Sequence, residues 1–391
     1  MHVGSWNISS GVMGRPRIWT LVLIIISVAL IGVPAGRAVY AAPLASVTPA
    51  KVPSSGIELA ANLPEKGVGV VKNSTYYERA RKSRLWGQTP AGLVYRSCMY
   101  NVPSGSYVDS IHGKITLPDG QVLPMKPCPY PRLVPPDPST ATKTPAATGS
   151  TLTNENGNWL DGFEADNLPR LDYLSANIAA PYPPNNTTGA PFEYQWTALA
   201  GDGTNSLLQP AVGWGSLGVS TYRPPLAGDT EMASYYFWSG NAVAGTFYSV
   251  NPLDTLAESI QGYNCNSSGN NCTWWMQITD ENTGQDSPLT VGSYPVYNSV
   301  VGELESDVGD VSGANCQSLF ANHHLVWRNL YVQAATGATV TPAYYETGPN
   351  DGGQAAAVRN ESKMSTSWST TSGYTAADTT WSNSCTSFPG S

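Results

Sequence analysis

The chain has 391 residues, a formal net charge of −8 at pH 7, 12% charged residues and 10% aromatic ones. That is long enough for two domains, or for one large all-β domain with an extension. Abundant Trp and Tyr among Gly, Asn, Ser and Thr describe an extracellular β-protein and argue against a cytosolic helical enzyme.

In chain order, Arg15 and Arg17 come first, followed by the apolar run "IWTLVLIIISVALIGV", residues 18–33. At 16 residues this run is short for a membrane span. Small residues follow it, so it reads as a signal peptide over 1–41, cut near Ala41 or Ala42. An uncleaved anchor is the other reading. Cleavage implies a secreted, extracellular protein with no stable membrane association.

Residues 42–150 carry a net charge of +6, and residues 151–391 carry −17. Within the basic segment, "ITLPDGQVLPM" predicts a β-hairpin with an Asp-Gly turn. A stretch rich in Pro, Thr and Ala, residues 133–158, has no apolar period and reads as a linker. Opposite charges suggest that 42–150 docks on the following domain and loosens as carboxylates protonate. It is read either as a propeptide released by acid or as an accessory segment with its own structure. Nucleic acid is a poor partner for so acidic a domain.

Six cysteines in an exported chain suggest three disulfides. Proximity favours Cys98–Cys128 and Cys265–Cys272, which leaves Cys316–Cys385. No CxxC or HExxH stands in the sequence, so no metal site and no zinc is expected. No glycine-rich loop opens a helix after a strand, so no cofactor is expected either.

From about residue 158, short alternating runs are punctuated by turns. "CTWWMQIT" places Trp274, Met276 and Ile278 on one face, and "DENTGQ" turns the chain. "HLVWRNLYVQA" alternates similarly, and "MASYYFWSG" is an aromatic strand. Only "LDTLAESIQG" approaches a helical period. Many strands without βαβ alternation predict an all-β sandwich or barrel over 151–391.

The side chains available for chemistry are carboxylates, amides and aromatics. No GxSxG and no Ser/His/Asp set presents itself. Gln209, in "GTNSLLQPAVGWGS", shares a strand face with Leu207, where an amide must be hydrogen-bonded or in use.

Several blocks in order resemble the glutamic peptidases called eqolisins. They are "GNW" at 157–159, "LSANIAAPYPP", "YQWTALAGDG", "NSLLQPAVGWG", "YYFWSG" and "ENTGQ". The resemblance runs from about 158 to 320. It implies an antiparallel double β-sandwich, a concanavalin A/lectin-like jelly roll, with a Gln/Glu catalytic pair. It also implies a secreted endopeptidase acting in acid on protein or peptide substrates, as a monomer and without cofactor.

By this resemblance the glutamine is Gln209. The family's Ala-Glu-aromatic-apolar-apolar-Glu strand matches "VVGELE" loosely, which makes Glu305 the catalytic candidate. Glu303, on the same face by alternation, is its competitor. Trp159, Trp196, Tyr235 and Trp238 are the implied substrate-binding residues. The chain departs from the family at Ala200, Phe237 and Ser239, where members carry Asp, Glu and Tyr. A carbohydrate-binding sandwich or a glycosidase built on Glu303 or Glu305 is the alternative, since Trp and Tyr among Asn and Asp also suit sugar stacking.

Overall fold

The computed structural model describes residues 70–71, 77, 79–80, 83, 85–90, 92–133, 159–165, 168–185, 192–201, 206–215, 229–266, 271–293, 295–306, 320–321, 324–340, 364–371 and 374–381. The apolar run at 18–33, most of the linker, Cys316 and Cys385 lie outside these residues.

The N-terminal part contributes β1 (Val70–Val71), β2 (Trp86–Thr89), β3 (Gly92–Tyr95), β4 (Met99–Asn101), β5 (Tyr107–Asp109), β6 (Lys114–Thr116), β7 (Val122–Pro124) and β8 (Arg132–Leu133). Then come β9 (Trp159–Ala165), β10 (Leu171–Ala179), β11 (Glu193–Gly201), β12 (Leu207–Trp214), β13 (Thr230–Trp238), β14 (Asn241–Ala244) and β15 (Tyr248–Ser249). The remainder are β16 (Thr255–Tyr263), β17 (Cys272–Asp280), β18 (Asp286–Ser293), β19 (Tyr297–Ser306), β20 (His324–Ala334), β21 (Thr339–Val340), β22 (Met364–Thr371) and β23 (Tyr374–Trp381).

These strands form two large sheets and a small one. The first large sheet has eight strands, ordered β4-β14-β13-β12-β11-β19-β9 with β15 beside β13. The second has eleven, ordered β22-β23-β20-β10-β16-β17-β18-β5-β6-β7 with β21 beside β20. The four-stranded sheet runs β1-β8-β3-β2. The protein is an all-β sandwich, and its pairings are antiparallel except where N-terminal strands join.

Between the large sheets lies an apolar core. Leu199, Leu208, Val212 and Tyr236 of the first sheet meet Leu174, Ile260, Met276 and Trp327 of the second. Strand β17 shows how one-sided burial is written: Trp274, Met276 and Ile278 are buried while Thr273, Trp275 and Gln277 are half-buried. The stretch nearest a helical period is strand β16, where Leu256, Glu258 and Ile260 alternate inward. Side-chain period two, not three or four, decides it.

Two of the expected disulfides, Cys98–Cys128 and Cys265–Cys272, are present. The Asp-Gly hairpin is β6–β7, with Gly120 at φ +85° and the Gln121 N–H donating to Asp119 Oδ1 at 2.9 Å. A positive φ is what Gly permits at no steric cost.

The N-terminal strands enter both large sheets. β4 pairs in parallel with β14, and β5 pairs in parallel with β18. Ser110, just past β5, donates to the Gly292 carbonyl at 2.7 Å and accepts from the Tyr236 hydroxyl at 2.9 Å. Tyr236 also meets Ser293, which meets Tyr297, which meets Ser206, all through hydroxyls. This buried chain of hydroxyls fastens the segment to both sheets, with each polar group satisfied by the next. Among the described residues, no helix is long and apolar enough to cross a membrane.

A buried carboxyl of the sandwich has a stability consequence. Glu258, on β16, is 2% exposed and accepts a hydrogen bond from Thr197 Oγ1 at 2.6 Å. Burial pushes its carboxyl well above the usual carboxylate range, and the Thr197 hydroxyl offsets this only in part. The unfolded chain ionises this group near its ordinary value, while the folded chain holds the proton to higher pH. Its contribution to stability is therefore complete in acid and is lost as pH rises between those two values. A Glu258→Gln variant cannot ionise. Its melting temperature relative to wild type should become more favourable between about pH 4 and about pH 7. Melts at both pH values check this, and a difference independent of pH contradicts it.

Candidate active site

The second face of the eight-stranded sheet, turned away from the other large sheet, can be laid out from the strand register. One row across β13, β12, β11 and β19 reads Glu231, Gly213, Tyr194, Glu305. The next row reads Ala233, Ala211, Trp196, Glu303. In the third, Tyr235 stands opposite Gln209, and Ala198 opposite Val301. The fourth reads Phe237, Leu207, Ala200, Ser299.

Small residues make the floor of this face a trough. At Gly213 an added Cβ would come 2.5 Å from Cδ1 of Tyr194, so the Tyr194 ring lies across the glycine. The alternation that places Leu207 and Gln209 together is realised here. Leu207 belongs to the trough and Leu208 to the inter-sheet core.

Gln209 and Glu305 are both 0% exposed, and Glu303 is 2% exposed. In backbone terms Glu303 is one row, about 7 Å along the strand, from the row of Gln209, and Glu305 is two. The Trp196 indole bridges part of that distance, since its Nε1–H donates to Glu305 Oε2 at 3.1 Å. Trp196 lies in the row between Glu305 and Gln209, so the bond ties the carboxyl to the intermediate row. Tyr235, opposite Gln209, stacks on Phe237 with ring centroids 6.1 Å apart. Burial, then the charges of Glu231 and Glu305, push its hydroxyl well above the ordinary tyrosine value. It stays protonated throughout the working pH range of a protein and can only donate or accept as a neutral group.

The amide of Gln209 is already engaged. Its Nε2–H donates at 2.9 Å to the main-chain carbonyl of Pro90, in the tip between β2 and β3. Its Oε1 carries no hydrogen bond among the described residues. At the tip, Thr89 pairs with Gly92, and Thr89 Oγ1–H donates to the Gly92 carbonyl at 2.7 Å. Gly92 sits at φ +102°, a conformation that a side chain would strain.

Four of the six residues singled out from the sequence, Gln209, Glu305, Trp196 and Tyr235, share this face. Trp159 is paired with Glu305 at the backbone of β9, and its side chain is outside the described set. Trp238 does not join them, because it packs half-buried against the inter-sheet core. Strand alternation already separates 238 from 235. Glu231, which the sequence reading passed over, lies in phase with Tyr235, and extending the aromatic strand one residue backwards would have found it. Pro90 has no local signal, since it is 119 residues away from Gln209. Among the described residues, no three His, Cys, Asp or Glu side chains are placed to hold a metal ion.

No family model matches this chain, and no curated protein matches it. Among solved structures it is similar to scytalido-glutamic peptidase with a peptide-based transition-state analogue: 15% identity over 57% of this chain and 98% of that one, TM-score 0.37. It is similar to SCP-B, a member of the eqolisin family of peptidases, in complex with the tripeptide Ala-Ile-His: 14% identity over 57% and 98%, TM-score 0.35. Aspergilloglutamic peptidase from Aspergillus niger gives 17% identity over 49% and 99%, TM-score 0.30. Likeness at this level assigns no residue a role.

The Trp196–Glu305 bond has a consequence for stability. Trp196→Phe keeps the ring and deletes the N–H that Glu305 Oε2 accepts. It should lower stability by about 1–3 kcal/mol. Urea denaturation reads the difference, and no loss contradicts a stabilising bond.

Proposed function

We propose that this protein is a secreted peptidase that hydrolyses peptide bonds in acid with Gln209 and a carboxylate of β19. One observation carries the reading: the Gln209 amide donates to a peptide carbonyl, on the face where Glu303 and Glu305 are buried. A side chain that holds one peptide carbonyl can hold the carbonyl of a substrate. The motif order along the sequence supports the same pair. The disulfides Cys98–Cys128 and Cys265–Cys272 suit an oxidising compartment, which supports secretion.

In this mechanism Glu305 is the general base and Gln209 the electrophilic helper. With substrate bound, a water activated by the β19 carboxylate loses a proton to it as its oxygen attacks the substrate carbonyl carbon. The carbonyl π electrons move onto oxygen, and Gln209 Nε2–H donates to that oxyanion. Such a donor contributes about 3 kcal/mol in characterised enzymes. The tetrahedral intermediate collapses, the C–N bond breaks, and Glu305 returns its proton to the leaving amine. Trp196 Nε1–H positions the Glu305 carboxyl.

A glutamate that must be base and then acid works best near its own pKa, which is about 4.3 for an unperturbed group. The expected working range is about pH 3–5. The test is digestion of casein or denatured globin across pH. Gln209→Ala and Glu305→Gln should each lose activity by a hundredfold or more, on the order of a lost oxyanion donor or base, with melting behaviour retained. Glu303→Gln should keep most of it. Register brings Glu303 a row nearer to Gln209, so the opposite pattern, Glu303→Gln inactive and Glu305→Gln active, moves the base to Glu303. Inactivity of the wild type after the N-terminal segment is cleared from the site removes the peptidase reading in favour of a binding module.

A further inference from the structure

The outer face of the eleven-stranded sheet, turned away from the eight-stranded one, carries a row of side chains that the peptidase reading leaves unused. Across β5, β18, β17, β16, β10 and β20 the register aligns Tyr107, Thr290, Trp275, Gln261, Tyr173 and Gln333. Their chain neighbours Val108, Trp274, Ile260 and Leu174 lie in the inter-sheet core, so the row faces outward by alternation. Gln261 is exposed and the other five are half-buried.

Two features separate this row from an ordinary solvated face. The first is spacing. Rings that stabilise a sheet by packing on each other sit directly opposite on adjacent strands. Here Tyr107, Trp275 and Tyr173 stand on every second strand, with Thr290 and Gln261 between them. Two strand spacings put successive rings about 9.6 Å apart, and the three span about 19 Å. A Cβ added at Gly292 would collide with the Tyr107 hydroxyl, so this ring lies back along the sheet. A ring in that position turns a face, not an edge, to solvent. The second feature is charge. This row and the next, Pro288, Gln277, Ser259, Ser175 and Tyr331, hold no Asp, Glu, Lys or Arg. The flanking rows do: Lys114 and Asp109 on one side, Asp286 and Arg328 on the other. An uncharged band therefore crosses a chain whose residues 151–391 carry a net −17.

We propose that this band binds an extended, uncharged β-1,4-linked polysaccharide. Each sugar of such a chain is turned over relative to the last, so the same face recurs every second unit, a repeat that matches two strand spacings. The apolar C–H face of a sugar lies on each ring, where burial and ring contact both contribute. Its equatorial hydroxyls point sideways, toward the Gln261 amide and the Thr290 hydroxyl between the rings. A polyanionic polymer finds no cation in the band, which selects for a neutral one. This inference does not rest on the peptidase reading. It also differs from a sugar held in the trough, because the two faces belong to different sheets. Its consequence is location: the protein is held on an insoluble glycan.

The test mixes the full chain with suspensions of microcrystalline cellulose, chitin and, as the α-linked control, insoluble starch, in about 1 M salt, where charge is screened. Protein left in solution is measured. Partition onto cellulose or chitin should exceed that onto starch at least about tenfold, and Trp275→Ala and Tyr173→Ala should each lower it by about tenfold, the scale of one stacked ring. Tyr182→Ala removes an aromatic that is 42% exposed but outside the row, and should change nothing. A soluble hexasaccharide of the retained polymer should release the protein at least about tenfold better than the disaccharide, which covers one ring only. Melts establish that the variants are folded, and should Trp275→Ala not fold, Tyr173→Ala carries the same expectation. Retention on only one of the two β-linked polymers supports the proposal and names the sugar. No retention on either, equal retention on starch, or unchanged retention by the folded ring variants overturns it. Casein digestion in acid reads the peptidase separately: glycan binding without hydrolysis keeps this inference and removes that reading, and hydrolysis without glycan binding does the reverse.

Discussion

Everything in this protein depends on one sheet being buried on both faces. Strands β11, β12 and β13 are buried along nearly their whole length. One face meets the second large sheet, and the other meets the small sheet of the N-terminal segment. A polar side chain on these strands therefore has no water to turn to, and several find partners within the protein. On the inter-sheet face Gln195 donates to the Val326 carbonyl at 3.1 Å, and Thr197 donates to Glu258. On the trough face Trp196 donates to Glu305, and Gln209 donates to Pro90. The first pair joins one sheet to the other. The second pair holds groups whose chemistry a peptide could use.

Both faces of this sheet also hold a buried acid. Glu258 sits in the apolar interior with one hydroxyl donor, and burial dominates, so its neutral form is favoured. Glu305 receives an indole N–H and shares its face with a tyrosine hydroxyl, an amide and two other glutamates.

Much of this was readable in the residues. Alternation along "CTWWMQIT" gave the correct inward set because β17 is covered on one side only. The pairing of Leu207 with Gln209 on one face was readable for the same reason of period. Over β11–β13 alternation of polarity fades, since a strand covered twice has little use for polar residues on either side. There the motif order located the strands, and the odd separation of Tyr235 and Trp238 sorted them onto opposite faces. The cover itself left no local trace. That Pro90 meets Gln209, and that β4 and β5 complete sheets made mostly of later strands, follows from contacts between residues far apart in the chain.

Those parallel pairings also set the order in which the molecule can assemble. Met99 lies beside Ala242 and Tyr107 beside Thr290, roughly 140 and 180 residues downstream. During synthesis the earlier strands emerge first and have no ladder to enter until the later ones arrive. Closing such distances costs chain entropy before any hydrogen bond repays it, so assembly is slow by nature. A nascent chain that cannot close its sheets early remains unfolded for longer. Once closed, the same strands cover what would otherwise be bare edges at β14 and β18, where a second molecule could add and aggregation begin.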